Sequence, residues 1–336
     1  MVTPVTRRIR IVFFGTPQFA VPSLQALLTS DHAVVGVVTQ PDKPRGRGQQ
    51  LTAAPIKQLA VEHAVPVLQP VRLKDEDTLS ALRAMEPDLG VVAAYGRILP
   101  AAVLAIPPLG LINVHASLLP RYRGAAPIHR AVMAGDAATG VSIMHVVQAL
   151  DAGAVYKTAT RPIGPDETSA DVEQDLAQIG AQLLMEVVAD LIAGRAVPQP
   201  QIDADSTYAP RLQKEEGPID WRAASRVIHN KVRGLQPWPL ASAHLGGRRM
   251  IVIETRCPSA GGEHGAALSA DMEAAAPGTI VGVSREALTV RTGDGLIDIV
   301  RVQPEGRRAM SVRDFAAGHP LAAGIRFDDP PAATQP

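Results

Sequence analysis

Residues 111–120 read LINVHASLLP, and this stretch gives the strongest indication of the fold. Three of its first four residues are apolar or β-branched, which is typical of a short buried strand. Asn113 and His115 lie two residues apart on that strand, so their side chains project from the same face. An open α/β sheet binds its ligands beyond the carboxyl ends of its strands. The amide and the imidazole are therefore predicted to lie at a binding site where this strand gives way to a loop.

The first half of the chain alternates short apolar runs with helical patterns. This alternation predicts a doubly wound, mostly parallel sheet with crossover helices. The predicted strands are residues 9–14, 33–39, 88–93, 109–114 and 141–147. The predicted helices are residues 21–29, 55–63, 76–85 and 169–193. A Gly-x-Gly-x-x-Gly pattern is missing from the first turn, Gly15-Thr16-Pro17, so a dinucleotide site is disfavoured.

The sequence changes character beyond Gly194. Residues 196–213 contain three prolines and no apolar periodicity, which predicts an extended linker. The remainder shows one helical pattern, at 222–232, followed by short β-like runs at 250–253, 279–283, 287–291 and 296–302. Short strands separated by Gly-rich turns are typical of a small barrel. We therefore predict an α/β domain at residues 7–195 and a small, OB-like β-barrel domain at residues 214–325. Residues 258–277 are predicted to form a surface loop of that barrel.

Composition limits the classes of protein that the chain can belong to. Its 336 residues are enough for two domains, and no apolar run approaches the roughly 20 residues of a membrane-spanning helix. The apolar run near the N-terminus is too short for the core of a signal peptide, so we expect a cytoplasmic protein without membrane contact. The single cysteine, Cys257, excludes an internal disulfide and any multi-cysteine metal site, and the histidines lack metal-ligand spacing. No metal is expected.

Asp151 is the third polar residue that the predicted sheet brings to this edge. It lies in the turn Leu150-Asp151-Ala152-Gly153, just after the strand predicted at 141–147, so its carboxylate can orient the His115 imidazole. A core histidine and a turn-forming aspartate explain the same residue types without catalysis. The chain has no Gly-x-Ser-x-Gly elbow that would present a nucleophile. Asn113, His115 and Asp151 thus fit the transfer of a carbonyl group to an amine that the substrate brings.

Charge is balanced overall but uneven along the chain. The chain has 33 basic and 33 acidic residues, yet between Ser206 and Arg256 nine basic residues face only four acidic ones. Solvated helix faces and polyanion contacts both produce such an excess. Residues 40–50 form a second basic stretch, which contains Lys43, Arg45 and Arg47 among glycines and prolines. A solvent-exposed loop and a phosphate-binding loop are both compatible with that stretch.

The chain resembles the methionyl-tRNA formyltransferases, a family of folate-dependent formyltransferases, from about Arg10 to Phe315. Asn-x-His and Ser-Leu-Leu-Pro are elements that folate-dependent formyltransferases share. The basic loop and the C-terminal barrel are what point to the enzymes that act on tRNA. The matching segments lie in the family's order and spacing at Gly15-Thr16-Pro17 and at residues 39–48, 113–127, 150–153, 214–221 and 237–239.

The resemblance implies a Rossmann-like formyltransferase fold that moves a formyl group from 10-formyltetrahydrofolate to the α-amine of methionyl initiator tRNA. It implies Asn113, His115 and Asp151 as catalytic residues. Independently of the resemblance, we expect a monomer. The implied folate-binding residues are Tyr95, Gly96, Ser117, Leu118, Leu119 and Pro120. The implied tRNA-binding residues are Lys43, Arg45, Arg47, Lys214 and Arg233.

Other functions remain compatible with the same residues. A formyltransferase that acts on a small amine, such as a nucleotide sugar or glycinamide ribonucleotide, would use the same three catalytic residues. A hydrolase that releases formate from folate and a non-catalytic RNA-binding protein are more distant alternatives. The chain also departs from the family pattern at Gln148 and Ala149, where an acidic residue and a glycine are frequent. That departure concerns the turn before Asp151 and leaves Asp151 itself in place.

Overall fold

The computed structural model describes residues 8–45, 50–257, 274–319 and 321–329, and for residues 43–45, 50 and 51 it describes the backbone only. The chain divides into two compact units. The first unit comprises residues 1–127, 138–162 and 173–210, and the second comprises residues 128–137, 163–172 and 211–336. The predicted boundary near the linker thus coincides with a change of unit, but two short segments of the first half join the second unit.

A seven-stranded sheet forms the first unit, within the described residues. In chain order its strands are β1 Arg10–Gly15, β2 Ala33–Val38, β5 Val67–Leu68, β6 Leu89–Ala93, β7 Leu111–His115, β9 Ala138–His145 and β10 Val155–Pro162. Their spatial order is β10-β9-β7-β6-β1-β2-β5. Five neighbouring strands of this order, β7-β6-β1-β2-β5, are parallel to one another. β9 runs antiparallel to β7, and β10 runs antiparallel to β9. This arrangement confirms the predicted mostly parallel sheet.

The central strands are apolar because helices cover them on both faces. All five residues of β6 are buried, as are the five residues of β1 that follow Arg10. Proline stands in the first turn of both α1 and α2, where its missing N–H leaves no hydrogen bond unmade. The helices before residue 211 are α1 Val21–Leu28, α2 Pro55–Glu62, α3 Glu76–Ala84, α4 Ala101–Leu104, α5 Pro127–Ala134 and α6 Ser169–Ile192. Among the described residues, no helix combines the length and the hydropathy needed to cross a membrane.

The position of β1 explains where a ligand would bind to this sheet. β1 pairs with β2 on one side and with β6 on the other, so the chain changes direction across the sheet between β1 and β6. Loops at the carboxyl ends of strands separate around such a switch point and leave a crevice. The carboxyl end of β7 lies one strand further along the same edge, next to β6.

The basic stretch at residues 40–50 was predicted as a loop, but part of it is a hairpin. Two short strands, β3 Lys43–Arg45 and β4 Gln50–Thr52, pair antiparallel with Pro44 opposite Leu51. Residues 46–49 lie outside the described part of the chain. The alternation of charged residues with glycine and proline hides this pairing, because it carries no period-2 apolar pattern.

The segment predicted as an extended linker, residues 196–213, has main-chain partners in the first unit. Residues 196–210 belong to the first unit, and Gln199 forms an antiparallel bridge with Val155. A two-residue strand, β11 Tyr208–Ala209, pairs in parallel with β8 Arg123–Gly124. The prolines interrupt the apolar periodicity by which a strand is recognised in a sequence. The backbone of this segment nevertheless forms hydrogen bonds with strands of the first unit.

The second unit contains an antiparallel sheet of six strands, counted over its described residues. The strands are β12 Ala241–Leu245, β13 Arg248–Arg256, β14 Ile280–Val283, β15 Leu288–Arg291, β16 Leu296–Pro304 and β17 Met310–Ser311. The main path of the sheet is β12-β13-β16-β15-β14, and β17 pairs with β16. The helices α7 Ser225–Gly234 and α8 Val312–Ala317 also belong to this unit. The sheet is consistent with the predicted small barrel, while residues 258–273 of the predicted surface loop lie outside the described residues.

One apolar core holds this sheet and its helices together. Ile228 and Val232 of α7 pack with strand residues such as Val252 and Ile299. Trp221 stacks on Phe327 with ring centroids 4.8 Å apart. Burial of these side chains stabilises the unit through the removal of apolar surface from water.

Candidate active site

Asn113 and His115 occupy the carboxyl end of β7, as the sequence predicted. His115 is 6% exposed, whereas Asn113 is half-buried. Val114, the residue between them, packs on the opposite side against Gly180 of α6. The contact is so close that a Cβ atom added to Gly180 would lie only 2.7 Å from Cγ1 of Val114. The Asn113 amide has no hydrogen-bond partner within the described parts of the chain. Its N–H groups are therefore available to a ligand oxygen.

The His115 ring is fixed through its Nε2 atom. Nε2 lies 3.0 Å from the backbone oxygen of Tyr122, and because a carbonyl oxygen only accepts, Nε2 donates this bond. Tyr122 adopts a φ of +60°, a left-handed conformation that is uncommon for a residue with a side chain. Its own N–H donates to the Thr207 hydroxyl at 2.8 Å. The loop that follows β7 therefore turns back to present one main-chain oxygen to the imidazole.

Asp151 faces the other ring nitrogen. Its Oδ2 atom lies 3.7 Å from Nδ1 of His115 and accepts a hydrogen bond of 2.9 Å from the Gly124 N–H. Asp151 has a φ of +48°, so its backbone is also held in the left-handed region. Two residues later, a Cβ on Gly153 would lie 1.8 Å from the backbone oxygen of His145, so only glycine allows this loop to pass so close to β9. The structure thus brings the Asp151 carboxylate to the His115 imidazole, on the strand that also carries Asn113.

Ser117 serves the internal structure of the loop after β7. Its hydroxyl donates to the Arg121 carbonyl at 2.6 Å, and its backbone oxygen accepts from the Ser142 hydroxyl at 2.7 Å. The Leu119 N–H donates to the same Ser142 hydroxyl at 3.1 Å. Leu118, Leu119 and Pro120 are half-buried at the rim of the site, so they can contact a ligand, whereas the Ser117 hydroxyl is already used.

Tyr95, predicted to line the folate pocket, has a buried ring. The side chain is 1% exposed and belongs to the sheet core, and it lies edge-on to Phe14 with ring centroids 5.7 Å apart. Burial raises the pKa of the Tyr95 hydroxyl, which has no hydrogen-bond partner within the described chain. Only the backbone faces the crevice: Tyr95 O accepts from Gln40 Nε2 at 2.8 Å, and Gly96 follows with a φ of +78°.

The basic hairpin formed by β3 and β4 is anchored at its base. Asp42 accepts from Lys57 Nζ at 2.5 Å and from Gln69 Nε2 at 2.8 Å, and these hydrogen bonds, that of Lys57 first, lower the pKa of the Asp42 carboxyl. Lys43 and Arg45 follow on β3, where only the backbone is described, and Arg47 lies outside the described residues. Their proposed contact with tRNA therefore stays a prediction.

The two tRNA-binding residues predicted in the second unit differ in exposure. Lys214 is exposed on a single 3-10 turn, Lys214–Glu216. Arg233 is 6% exposed, and its guanidinium donates to the backbone oxygens of Gly164 and Glu167 and to the Asn230 side chain. A guanidinium buried in this way holds its own unit together, and the contact of Arg233 with tRNA stays a prediction.

The structure also reveals partners of the site that the sequence did not indicate. The Tyr122 carbonyl belongs to the main chain, so no residue type could announce it. Gln201 lies in the segment that was predicted as a linker, yet its side chain contacts the loop of Asp151. In this segment, the sequence hinted at a strand only at Tyr208 and Ala209. Two residues are too few to be recognised as a strand.

Sequence comparison places this geometry among known proteins. Residues 8–188 match the family model of formyl transferases, and residues 211–320 match that of the formyl transferase C-terminal domain. The chain is similar to the methionyl-tRNA formyltransferase of Trichlorobacter lovleyi, with 44% identity over 94% of this chain and 96% of the relative. Similarity to the methionyl-tRNA formyltransferase of Symbiobacterium thermophilum is 45% over 96% of this chain and 97% of the relative.

Solved structures share the fold at much lower identity. The N-formyltransferase of Helicobacter canadensis, in complex with folinic acid and dTDP-3-aminofucose, has a TM-score of 0.64 and 17% identity, covering 88% of this chain and 99% of that protein. HypX of Aquifex aeolicus has a TM-score of 0.62 and 17% identity, covering 93% of this chain and 48% of that protein. These structures support the fold, and the sequence relatives confirm the resemblance inferred from the motifs.

Proposed function

Because this chain belongs to the formyl transferase family, we propose that it transfers the formyl group of 10-formyltetrahydrofolate to the α-amino group of methionyl initiator tRNA. The product is N-formylmethionyl-tRNA, which serves translation initiation. The observation that carries the chemistry is the His115 imidazole, which lies between the Tyr122 carbonyl and the Asp151 carboxylate on the strand that also carries the unpaired Asn113 amide. Similarity to methionyl-tRNA formyltransferases over both domains supports the choice of acceptor.

The residues at the sheet edge fit a folate. The half-buried Asn113 amide has free donors, and the rim formed by Leu118, Leu119 and Pro120 is apolar, as a site for a flat heterocycle requires. Next to β6, the left-handed Gly96 lets the backbone approach a ligand closely. When bound, the folate supplies a formyl carbonyl that the amine attacks. The Tyr95 and Ser117 backbones shape the pocket, since their side chains are occupied elsewhere.

Asn113 stabilises the negative charge that develops on the formyl oxygen. Its amide N–H groups have no competing partner among the residues that the structure describes, so no hydrogen bond to them needs to break before the ligand oxygen accepts one. A donor that is already in place costs no reorganisation when charge develops in the transition state. Each such donor contributes about 3 kcal/mol to the lowering of the barrier.

His115 and Asp151 handle the proton of the attacking amine. Nε2 is committed to the Tyr122 carbonyl, so Nδ1 is the ring atom left for proton exchange. When Nδ1 takes up a proton, the Asp151 carboxylate 3.7 Å away stands opposite the new positive charge. The hydrogen bond from the Gly124 N–H keeps Oδ2 directed at the ring. The pair therefore supports general acid–base catalysis without a nucleophile of its own.

Cations on both units contact the tRNA. Lys43 and Arg45 belong to β3, which follows β2 in the chain, Arg47 comes two residues later in sequence, and Lys214 is exposed in the second unit. Phosphate contacts position a nucleic acid without reading its sequence. Arg47, on the stretch between the two hairpin strands, probes the end of the acceptor stem, in line with the family resemblance.

Transfer of labelled formyl from 10-formyltetrahydrofolate tests the proposal directly. Methionyl initiator tRNA, methionyl elongator tRNA and a reaction without RNA are compared with the same enzyme. Fast transfer to initiator tRNA alone is expected. Transfer to a small amine such as an amino sugar nucleotide, with none to tRNA, would keep the chemistry but contradict the acceptor. Formate release without any acceptor would instead identify a hydrolase.

A further inference from the structure

Gln201 connects the two loops that present the catalytic groups of the site. Its Nε2 atom donates to the backbone oxygens of Asp151, at 2.8 Å, and Gly153, at 2.7 Å. Its Oε1 atom accepts from Nε and Nη2 of Arg123, at 3.0 and 2.9 Å. Both donors and the acceptor of one amide are thus used, and the side chain is half-buried.

The two hydrogen bonds that Gln201 donates to the Asp151 loop hold a strained backbone in place. Asp151 has a φ of +48°, and a left-handed conformation of a residue with a Cβ persists only when its surroundings enforce it. The carbonyls on either side of Ala152 both accept from Gln201, so the peptide planes around the strained residue cannot rotate freely. That orientation decides where the Asp151 carboxylate points.

The Arg123 side of the connection leads to the other partner of His115. Arg123 follows Tyr122, whose carbonyl accepts from Nε2 of His115. The Arg123 guanidinium is also held by Asp203, at 2.7 Å, so the loop is fixed between Gln201 and a carboxylate. One side chain therefore sets the spacing between the groups that face the two nitrogens of the catalytic imidazole.

We infer that Gln201 is a positioning residue that fixes the Asp151 carboxylate opposite His115, and that its two N–H donors are what this role requires. The inference rests on the proposed function, because the readout is formyl transfer. The unmodified enzyme separates the two: if it fails to formylate methionyl initiator tRNA, the proposed function fails, whereas the inference fails only on the variants described next.

Two substitutions distinguish the donors from the acceptor. Gln201→Met keeps the length of the side chain and removes every hydrogen bond. Gln201→Glu keeps an acceptor for Arg123 but removes both donors and sets a carboxylate against the oxygens of Asp151 and Gly153. Gln199→Met is the matched control, because the exposed Gln199 side chain lies two residues away and only its backbone bonds to the sheet.

Both Gln201 variants are expected to lower kcat about 10- to 100-fold, with KM for tRNA and folate within about twofold, because a displaced catalytic group slows the reaction without weakening binding. The Gln199→Met control is expected to keep the original kcat. Recovery of full activity in Gln201→Glu would overturn the inference, since Arg123 would then be the only partner that matters.

A double-mutant cycle with Asp151→Asn separates positioning from general stability. If Gln201 acts through the carboxylate, Gln201→Met should cost less than about threefold in kcat once Asp151 is an asparagine. Multiplicative losses would overturn the inference. Melting temperatures and folate binding are measured for every variant. Loss of the cooperative fold in both Gln201 variants would assign this side chain to stability alone and would equally overturn it.

Discussion

The Nδ1 atom of His115 lies 3.7 Å from Oδ2 of Asp151, although the two residues come from different connections of the sheet. His115 ends β7, whereas Asp151 lies in the loop between β9 and β10. The antiparallel register pairs His115 with Ser142 and Ile112 with His145, so β9 ends beside the start of β7 and the loop that follows must run back toward His115 to bring Asp151 to the imidazole. An added antiparallel strand thus completes a site that begins at the edge of a parallel sheet.

Asp151→Asn is expected to lower kcat by about 10³-fold, because a neutral amide no longer balances a positive charge on the imidazole. The remaining amide oxygen still accepts from the Gly124 N–H, so the loop keeps its geometry. Single-turnover formyl transfer from pre-bound folate measures the chemical step. A rate within threefold of the original would show that Asp151 only forms the turn.

Asn113→Ala is expected to lower kcat about 100- to 1000-fold while the affinity for tRNA changes little, because the lost donor serves only the developing oxyanion. Arg47→Ala should do the reverse, with a raised KM for tRNA and an almost unchanged kcat. Steady-state kinetics on methionyl initiator tRNA distinguish the two patterns. Equal damage to kcat and KM in both variants would contradict this division of roles.

Arg233→Met is expected to destabilise the second unit without affecting the contact with tRNA. The substitution leaves two partly buried carbonyls and the buried Asn230 side chain without their donor, at a cost of about 2 to 4 kcal/mol in the free energy of unfolding. Urea unfolding measures this loss. Lys214→Met serves as the opposite case, because the loss of that exposed lysine should weaken tRNA binding and leave stability unchanged. Weakened tRNA binding by a fully stable Arg233→Met protein would restore the original prediction.

Protonation of His229 is expected to make the second unit sensitive to acid. The ring is 2% exposed, donates from Nε2 to the Pro165 carbonyl and accepts at Nδ1 from the Thr255 hydroxyl. Burial lowers the pKa of His229. The Pro165 carbonyl and Asp166 oppose that shift, and Arg233 and Arg226 add to it.

The unfolded chain therefore binds a proton at higher pH than the folded chain does. Stability contributed by the neutral ring is complete above the unfolded pKa of about 6.5 and falls as the pH drops from there toward the lowered folded pKa, by at most about 1.4 kcal/mol per pH unit. When the pH is lowered from 7.5 to 5.5, the free energy of unfolding should fall less in His229→Gln than in the original protein. The exposed His63→Gln is the control, and identical pH dependence in all three proteins would contradict the expectation.

Most of the first sheet could be predicted because its strands are short, apolar and bounded by turns. β1 was predicted at residues 9–14 and is found at Arg10–Gly15, and the helix predicted at 169–193 is α6, Ser169–Ile192. β10 was missed because its residues alternate between half-buried and exposed and include Lys157 and Arg161, which is typical of a strand at the edge of a sheet. Its pairing with β9 defines it, and a long-range hydrogen-bond ladder leaves no local pattern.

The candidate site divides in the same way. Asn113 and His115 were predicted together because two residues on one strand share a face whatever the rest of the fold does. Asp151 was predicted from the rule that the carboxyl ends of parallel strands meet at one edge, but β9 is antiparallel to β7, so the contact of Asp151 with His115 depends on the path of the loop after β9. The burial of Arg233 could not be predicted because a cation on an amphipathic helix has the same local sequence whether its guanidinium is buried among carbonyls or exposed to solvent.

By itself, the sequence determined the strand and helix periods, the Asn-x-His pair and the family, because these depend on spacing along the chain and on short-range sterics. Only the tertiary structure decided which oxygen faces each nitrogen of His115 and which side chain holds the Asp151 loop. The Tyr122 carbonyl reaches His115 because the loop after β7 turns back, and the Gln201 amide comes from a segment distant in sequence, while main-chain groups are the same in every residue. Their positions are therefore set by packing and hydrogen bonding across the fold.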